Sequence, residues 1–315
     1  MSLAATAEKP PAFTEPECGP APEGGAGVEA PAFVAAQRGY WTNVFVRLRR
    51  DPITIVCGGI VLLIVLAAVF APWVAPHDPY KTSMLKRLAP PGAPGFLLGT
   101  DELGRDMLSR LIYGGRVSMF TAMAPVFLAL AIGGTLGITA GFIGGRTNMI
   151  IMRVTDVFYA FPSILLAIAI SGALGGGILN AVLSLTLIFV PPICRVAETV
   201  TTQVRNLDFV AAARATPAST FRIVRVHVLG NVLGPILIYA SSLVSVSIII
   251  ASGLSFLGLG VSPPVADWGL MLNTLRQSIY VAPLNAALPG VMIFITGMCF
   301  NLMSDGLRTA MDVKL

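Results

Sequence analysis

Histidine and cysteine side chains, which carry much of the metal and acid–base chemistry of proteins, are few in this sequence and poorly spaced for it. The only histidines, His77 and His227, border two long apolar runs. The four cysteines, at positions 18, 57, 194 and 299, show no C-x-x-C spacing. The phosphate-binding pattern G-x-x-x-x-G-K-[ST] is absent. We therefore expect no catalytic residue, no metal site and no cofactor bound by this chain.

Serines form the other chemically interesting pattern. Ser241, Ser245 and Ser252 recur near helical spacing in one apolar run. Small residues at this spacing allow helices to pack closely. Hydroxyl groups on one helix face also suit the lining of a polar translocation path, and both interpretations remain open.

The elements that must position these residues are membrane helices. Charged residues make up 12% of the 315 residues, against about 25% in soluble domains, and the mean hydropathy is +0.79. Five runs without charge are long enough to cross a bilayer. They are 52–76, 117–145, 157–194, 228–266 and 277–304. A soluble helical bundle is excluded because its helices would each show a polar face.

Two of the runs exceed one helix in length. The glycine-rich stretch 171–177 divides the third run into helices at about 157–171 and 179–197, and the fourth run keeps one helix at about 231–254. The sequence thus predicts an all-α integral membrane protein with six transmembrane helices.

Basic residues predict the orientation in the lipid bilayer. With both termini in the cytoplasm, 14 of the 21 Lys and Arg residues lie inside and seven lie outside. We attribute the net charge of +5 to this uneven distribution of Lys and Arg across the membrane, and we therefore expect no nucleic-acid partner. The runs contain no Asp, Glu, Lys or His, which disfavours a proton pump or an ion-coupled transporter.

This topology divides the chain into five segments. They are a disordered cytoplasmic tail (1–37), an N-terminal helix with its basic flank (38–76), an extracytoplasmic segment (77–113), a transmembrane domain (114–305) and a cytoplasmic C-terminus (306–315). In the extracytoplasmic segment, Thr100 or Asp101 is expected to cap an interfacial helix.

The cytoplasmic loop 198–228 is the most informative segment. An alanine-rich turn is followed by Pro217 and by an amphipathic stretch, which predicts two short helices with a bend between them. Such a loop either docks into a groove of a soluble partner or lies solvated on the membrane surface.

This loop resembles the E-A-A-x-x-x-G coupling motif of ABC importer permeases of the dipeptide, oligopeptide and nickel class. Further resemblances are Leu98–Ser118, Ser255–Pro264 with Asp267-Trp-Gly269, and Phe300–Arg308. The four motifs follow the order of that class over residues 41–315, and the six-helix count with the short C-terminus resembles its second (C-type) permease subunit. The resemblance implies a type I ABC importer (MetI-like) permease fold.

The loop departs from the family pattern in three places. Ala211 stands where the family has Glu, Pro217 stands where it has Gly, and Leu229-Gly230 stands where it has Leu-Pro. Asp208 lies on nearly the same helical face as Ala211 and could replace the missing carboxylate.

The resemblance also implies function. It assigns ATPase coupling to the loop, namely to Asp208, Ala211, Ala212, Ala213, Arg214, Pro217, Phe221 and Arg222. It assigns an outer gate or a binding-protein contact to Pro263, Pro264, Asp267 and Trp268, for which a plug over the helix ends is the simpler alternative.

The expected partners are a second homologous permease, two ATPases that hold ATP and Mg²⁺, and an external binding protein, in the cytoplasmic (inner) membrane of a bacterium. The expected cargo is dipeptides or oligopeptides moved by alternating access. Nickel or another small solute is the alternative, and a channel or scaffold without ATPase coupling is the third.

Overall fold

The structure is a computed structural model that describes residue 44 and residues 46–311, and its long elements are all helices. The predicted disordered tail 1–37 and the last residues, 312–315, lie outside the described residues. The main helices are α1 (Pro52–Val69), α2 (Met107–Ile143), α3 (Gly145–Tyr159), α4 (Ser163–Leu174), α5 (Ile178–Arg205), α6 (Asp208–Arg214), α7 (Thr220–Ile223), α8 (Leu229–Phe256), α9 (Trp268–Leu275) and α10 (Pro283–Met311).

Short turns complete the chain between these helices. They are a helical turn at Ala71–Val74, 3₁₀ turns at Met84–Lys86 and Arg276–Ser278, and a π turn at Val224–Val228. The π turn connects α7 to α8 without a break.

The candidate membrane spans follow the predicted order. Within the described residues, α1, α2, α5, the run Thr220–Phe256 and α10 are long and apolar enough to cross a bilayer. Helices α3 and α4 provide a sixth candidate if they are counted as one bent span.

The third span is where the prediction was wrong. A single helix at 157–171 was expected, but the chain bends by 86° between Tyr159 and Ser163. Pro162 explains the break, because proline disfavours helical geometry in the residue before it and has no N–H for the helical ladder. Helix α4 then has only 12 residues, or about 18 Å, which is shorter than the hydrocarbon core.

The predicted break after this span is confirmed. Helix α4 ends at Gly175, whose φ of 85° is open to glycine and costly for other residues. Arg195 of α5 then holds the bend, because its guanidinium pairs with Asp156 and lies 4.8 Å from the Tyr159 ring centroid.

Other helix boundaries differ from the predicted runs. Helix α2 begins at Met107 rather than at 117, and its 37 residues are about 55 Å long, so it extends past the bilayer core. Helix α5 continues to Arg205, which shortens the predicted loop 198–228. Helix α10 covers Pro283–Met311 rather than 277–304.

The centre of the bundle is the contact between α2 and α5. Gly133, Gly137 and Gly141 repeat every fourth residue on α2 and lie against the α5 backbone. A Cβ at Gly133 would stand 2.6 Å from the Val190 carbonyl oxygen, and one at Gly141 would stand 2.6 Å from that of Glu198. The repeat therefore lets two membrane helices approach more closely than any side chain would allow.

Candidate functional site

The loop between α5 and α8 forms a projection, hereafter the loop projection (Asp208–Val228), at one end of the bundle. As predicted, it contains two short helices separated by a bend at Pro217. The Ser219 hydroxyl accepts the N–H of Arg222 and begins α7. The second helix is not separate from the membrane span, however, because α7 continues through the π turn into α8.

Apolar side chains fasten the root of the loop projection to the bundle. Val210, Ala213, Ile223 and Val228 are all buried in one cluster that includes Phe142 near the end of α2. The Arg214 guanidinium lies 4.7 Å from the centroid of the Phe142 ring, in cation–π geometry. Of the predicted coupling residues, Ala213 and Arg214 thus face the bundle.

The opposite face of the loop projection is free of the bundle. Asp208, Ala211, Ala212, Pro217 and Arg222 are exposed. Asp208 and Ala211 stand one helical turn apart, as expected, and the role of Asp208 as a replacement carboxylate stays a prediction.

Two phenylalanines dominate this exposed face. Phe221 is 74% exposed and Phe209 is 43% exposed. Phe209 was missed by the sequence reasoning, although an aromatic residue beside an alanine-rich turn was available as a signal. An exposed apolar surface with adjacent basic residues is suited to docking on another protein.

The other end of the bundle, hereafter the cap end (residues 77–106 with α9), is held by buried polar contacts. The Asp101 carboxylate accepts the Arg105 Nε at 2.5 Å and lies 3.3 Å from the Arg110 Nε. The predicted interfacial helix capped by Thr100 or Asp101 is wrong, because residues 101–106 form turns, and the next helix, α2, is capped by Asp106, which accepts the N–H of Ser109. Asp101 instead binds the N–H groups of its own turn, at Leu103 and Arg105.

Asp267 and Trp268 also belong to this buried network. Asp267 accepts the Ser118 hydroxyl at 2.7 Å and caps α9 through the N–H of Leu270 at 3.0 Å. Trp268 is 0% exposed, and its Nε1 donates to the Leu111 carbonyl oxygen at 2.9 Å. Both side chains are thus buried against α2, and their assignment to an outer gate or a binding-protein contact stays a prediction. Pro263 and Pro264 are exposed, and for them the contact stays a prediction.

The predicted serine stripe on α8 lies mainly against protein. Ser245 and Ser252 are buried, and the Ser241 hydroxyl lies 3.0 Å from that of Ser304 on α10. These positions agree with the close-packing interpretation, and path lining by the three serines stays a prediction. Ser242, one residue further on, is on the accessible side of α8 and lines a cavity.

No group of three His, Cys, Asp or Glu side chains suited to a metal ion occurs among the residues that the structure describes. The described residues thus form a bundle of membrane helices with a hydrogen-bonded cap at one end and an exposed helical projection at the other.

Comparison with known proteins defines the class. Residues 133–315 match the family described as "Binding-protein-dependent transport system inner membrane component", and residues 39–91 match "N-terminal TM domain of oligopeptide transport permease C". The chain belongs to the binding-protein-dependent transport system inner membrane component family. It is therefore a multi-pass membrane permease and not an enzyme, and it works with ATPase and substrate-binding partners.

Individual relatives are similar to this chain over most of its length. The chain is 44% identical to the di/tripeptide transport system permease protein DppC of Pseudomonas aeruginosa over 81% of this chain and 86% of that protein. It is 37% identical to the glutathione transport system permease protein GsiD of Pectobacterium atrosepticum, with 87% and 91% covered. It is 36% identical to the probable D,D-dipeptide transport system permease protein DdpC of Escherichia coli, with 85% and 89% covered.

A solved structure supports the fold. A chain from inward-facing MetNI, a methionine ABC transporter, aligns with a TM-score of 0.54 at 17% identity, covering 65% of this chain and 97% of that one. The predicted MetI-like permease fold is thus confirmed.

Proposed function

We propose that this chain is one of two permease subunits of an ATP-driven importer of dipeptides or oligopeptides. The observation that carries the proposal is the loop projection, whose root is buried in the bundle and whose outer face exposes Ala211, Ala212 and Phe221. The cargo is supported by the relatives, whose names include di- and tripeptides, D,D-dipeptides and glutathione.

The proposed mechanism is alternating access. Two ATPases bind ATP and Mg²⁺ at their own interface, and their closure moves the loop projection of each permease. Because α7 continues into α8 through the π turn, a displacement of the projection is passed to a membrane span without an intervening flexible loop. A second homologous permease completes the path, and an external binding protein delivers the peptide.

The proposed orientation places both termini, and hence the loop projection, in the cytoplasm of a bacterium. The excess of Lys and Arg on that side supports it. The projection is then on the side where ATP is available.

The test is an ATPase measurement on the assembled importer. The chain is purified with its co-encoded partners, placed in nanodiscs, and assayed with the binding protein in the presence and absence of a mixed dipeptide pool. We expect stimulation by the loaded binding protein. Assembly without peptide stimulation would remove the peptide assignment in favour of nickel or another solute, and failure to assemble would contradict the importer itself.

A further inference from the structure

Two cavities adjoin on the accessible side of α8 and share Tyr239. The first has a volume of about 420 Å³ and lies between α5, α8 and the last turns of α10. The second, of about 280 Å³, lies between α5, α8 and the bend from α3 to α4. Tyr239 is half-buried and lines both, so that the two cavities form neighbouring parts of one surface.

The first cavity carries one negative and one positive side chain. Asp305 and Arg308 stand one turn apart on α10, and both are exposed at its wall. Within the described residues, neither forms an ion pair, although oppositely charged residues at this spacing commonly pair on a helix. Ser242 adds a hydroxyl group at the same wall.

The second cavity is lined largely by aromatic and aliphatic side chains. Phe158, Tyr159 and Phe161 come from the bend between α3 and α4, and Phe189 comes from α5. Such a lining accepts apolar groups and offers little to a charge.

This arrangement fits a ligand that carries both charges at a short distance and an apolar group between them. An extended dipeptide spans about 7 Å between its termini, and Cβ atoms one turn apart on a helix are about 5–6 Å apart. A carboxylate facing the ammonium group and a guanidinium facing the carboxylate form charge-assisted hydrogen bonds, which are stronger than neutral ones. An isolated anion would find one partner and one repelling carboxylate, and an isolated cation would find the reverse.

We propose that the first cavity is a binding site for a short zwitterionic peptide, in which Asp305 binds the terminal ammonium and Arg308 binds the terminal carboxylate. A side chain of the peptide points past Tyr239 towards the second cavity. This proposal rests on the proposed function, which it deepens by naming the residues that contact the cargo near the loop end of the path.

The test uses the assembled importer in nanodiscs without the binding protein, so that only a site within the membrane subunits is measured. The probes are dialanine, dialanine amide and N-acetyl-dialanine, and equilibrium dialysis gives their dissociation constants. We expect saturable binding of dialanine. Blocking either terminus is expected to weaken binding on the order of tenfold, as the loss of one charged hydrogen bond implies.

The variants connect each terminus to one residue. Arg308→Gln is expected to weaken dialanine binding to the level of the amide while leaving the amide nearly unaffected. Asp305→Asn is expected to do the same for N-acetyl-dialanine. Arg146→Gln removes an exposed arginine on α3 that lines neither cavity, and it is the matched control with wild-type binding.

The outcomes separate the binding site from the importer itself. No saturable dialanine binding, or an equal loss for free and blocked peptides in the variants, overturns the binding site. ATP-driven uptake of dialanine delivered by the binding protein is measured in parallel on the wild type in proteoliposomes, which enclose a lumen, and its absence contradicts the proposed function instead. If a neutral variant does not assemble by size exclusion, Arg308→Lys and Asp305→Glu replace it. These keep the charge and are expected to retain most of the discrimination between free and blocked termini.

Discussion

The two ends of the bundle are fastened by different forces. At the cap end, buried polar groups from distant parts of the chain meet at short distances, as in the contact of Asn285 with the Ala89 and Thr100 carbonyl oxygens at 2.9 and 2.7 Å. At the loop end, apolar side chains such as Val210 and Ile223 hold the projection. Hydrogen bonds fix direction and distance, whereas apolar contacts tolerate small shifts.

This difference indicates that the two ends of the bundle have different roles. The cap end keeps its geometry because each displaced group would leave a buried partner without a hydrogen bond. The loop end keeps contact with the bundle but leaves many of its large side chains exposed. Substitutions at the cap end are therefore expected to change stability, and substitutions on the outer face of the loop projection are expected to change coupling.

Removing Trp268 is expected to have the largest effect. Trp268→Ala should lower the free energy of unfolding by about 3–5 kcal/mol, because a fully buried indole and its hydrogen bond to Leu111 are lost. Denaturant unfolding of the detergent-solubilised chain measures this. Trp73→Ala is the control, since Trp73 is 81% exposed, and its effect should stay within about 0.5 kcal/mol. Equal losses for the two variants would contradict the fixed cap.

The glycine repeat that packs α2 against α5 gives the next largest effect. Gly137→Ala places a Cβ against the Cys194 carbonyl oxygen of α5 and should cost about 1–3 kcal/mol. The matched variant Gly134→Ala meets its nearest neighbour, Leu130 Cδ1, at 3.9 Å and should be nearly neutral. The same unfolding measurement applies, and a neutral Gly137→Ala would mean that α2 and α5 are not in backbone contact.

Loss of one hydroxyl tests the polar network at the cap end. Ser118→Ala leaves Asp267 Oδ1 and the Trp268 N–H without their partner, which should cost about 1–3 kcal/mol. Thr135→Ala is the control, because the exposed Thr135 hydroxyl bonds only to carbonyl groups of its own helix. A smaller cost for Ser118→Ala than for Thr135→Ala would remove the argument for a hydrogen-bonded cap.

The smallest change in stability is expected on the outer face of the loop projection. Phe221→Ala should alter the free energy of unfolding by less than about 0.5 kcal/mol, because the ring is exposed. Stimulation of the ATPase by the loaded binding protein should nevertheless fall several-fold. Phe120→Ala on α2 removes another exposed ring, at 58%, and should leave stimulation unchanged. Unchanged stimulation in Phe221→Ala would remove Phe221 from the docking surface.

The features that the sequence predicted correctly depend on local properties. Charge-free length marks the membrane spans, glycine at 175–177 ends a helix, and Pro217 bends the loop, so these could be predicted from neighbouring residues alone. The 86° bend before Ser163 could also have been predicted from Pro162. It was missed because Pro162 lies inside a continuous apolar run that was taken as one helix.

The features that were missed depend on distant partners. Asp267 and Trp268 are polar and aromatic residues in a loop, which suggests exposure, and their burial depends on Ser118 and Leu111 about 150 residues away. The role of Asp101 was missed in the same way. Its carboxylate pairs with Arg110, and a helix cap predicted from the neighbouring residues does not include this contact. The two cavities that share Tyr239 are lined by residues from α3, α5, α8 and α10. No periodicity within one segment of the sequence reveals that these residues lie together.

The π turn at Val224–Val228 sets the direction in which the loop projection points. A π turn contains about one residue more than an α turn, and each residue of an α-helix corresponds to about 100° of rotation. Deleting one residue from this turn would let α7 and α8 join as a regular helix and would swing the exposed ring of Phe221 about a quarter of the way around the axis of α8. The direction in which the loop projection points therefore depends on the number of residues in this five-residue turn.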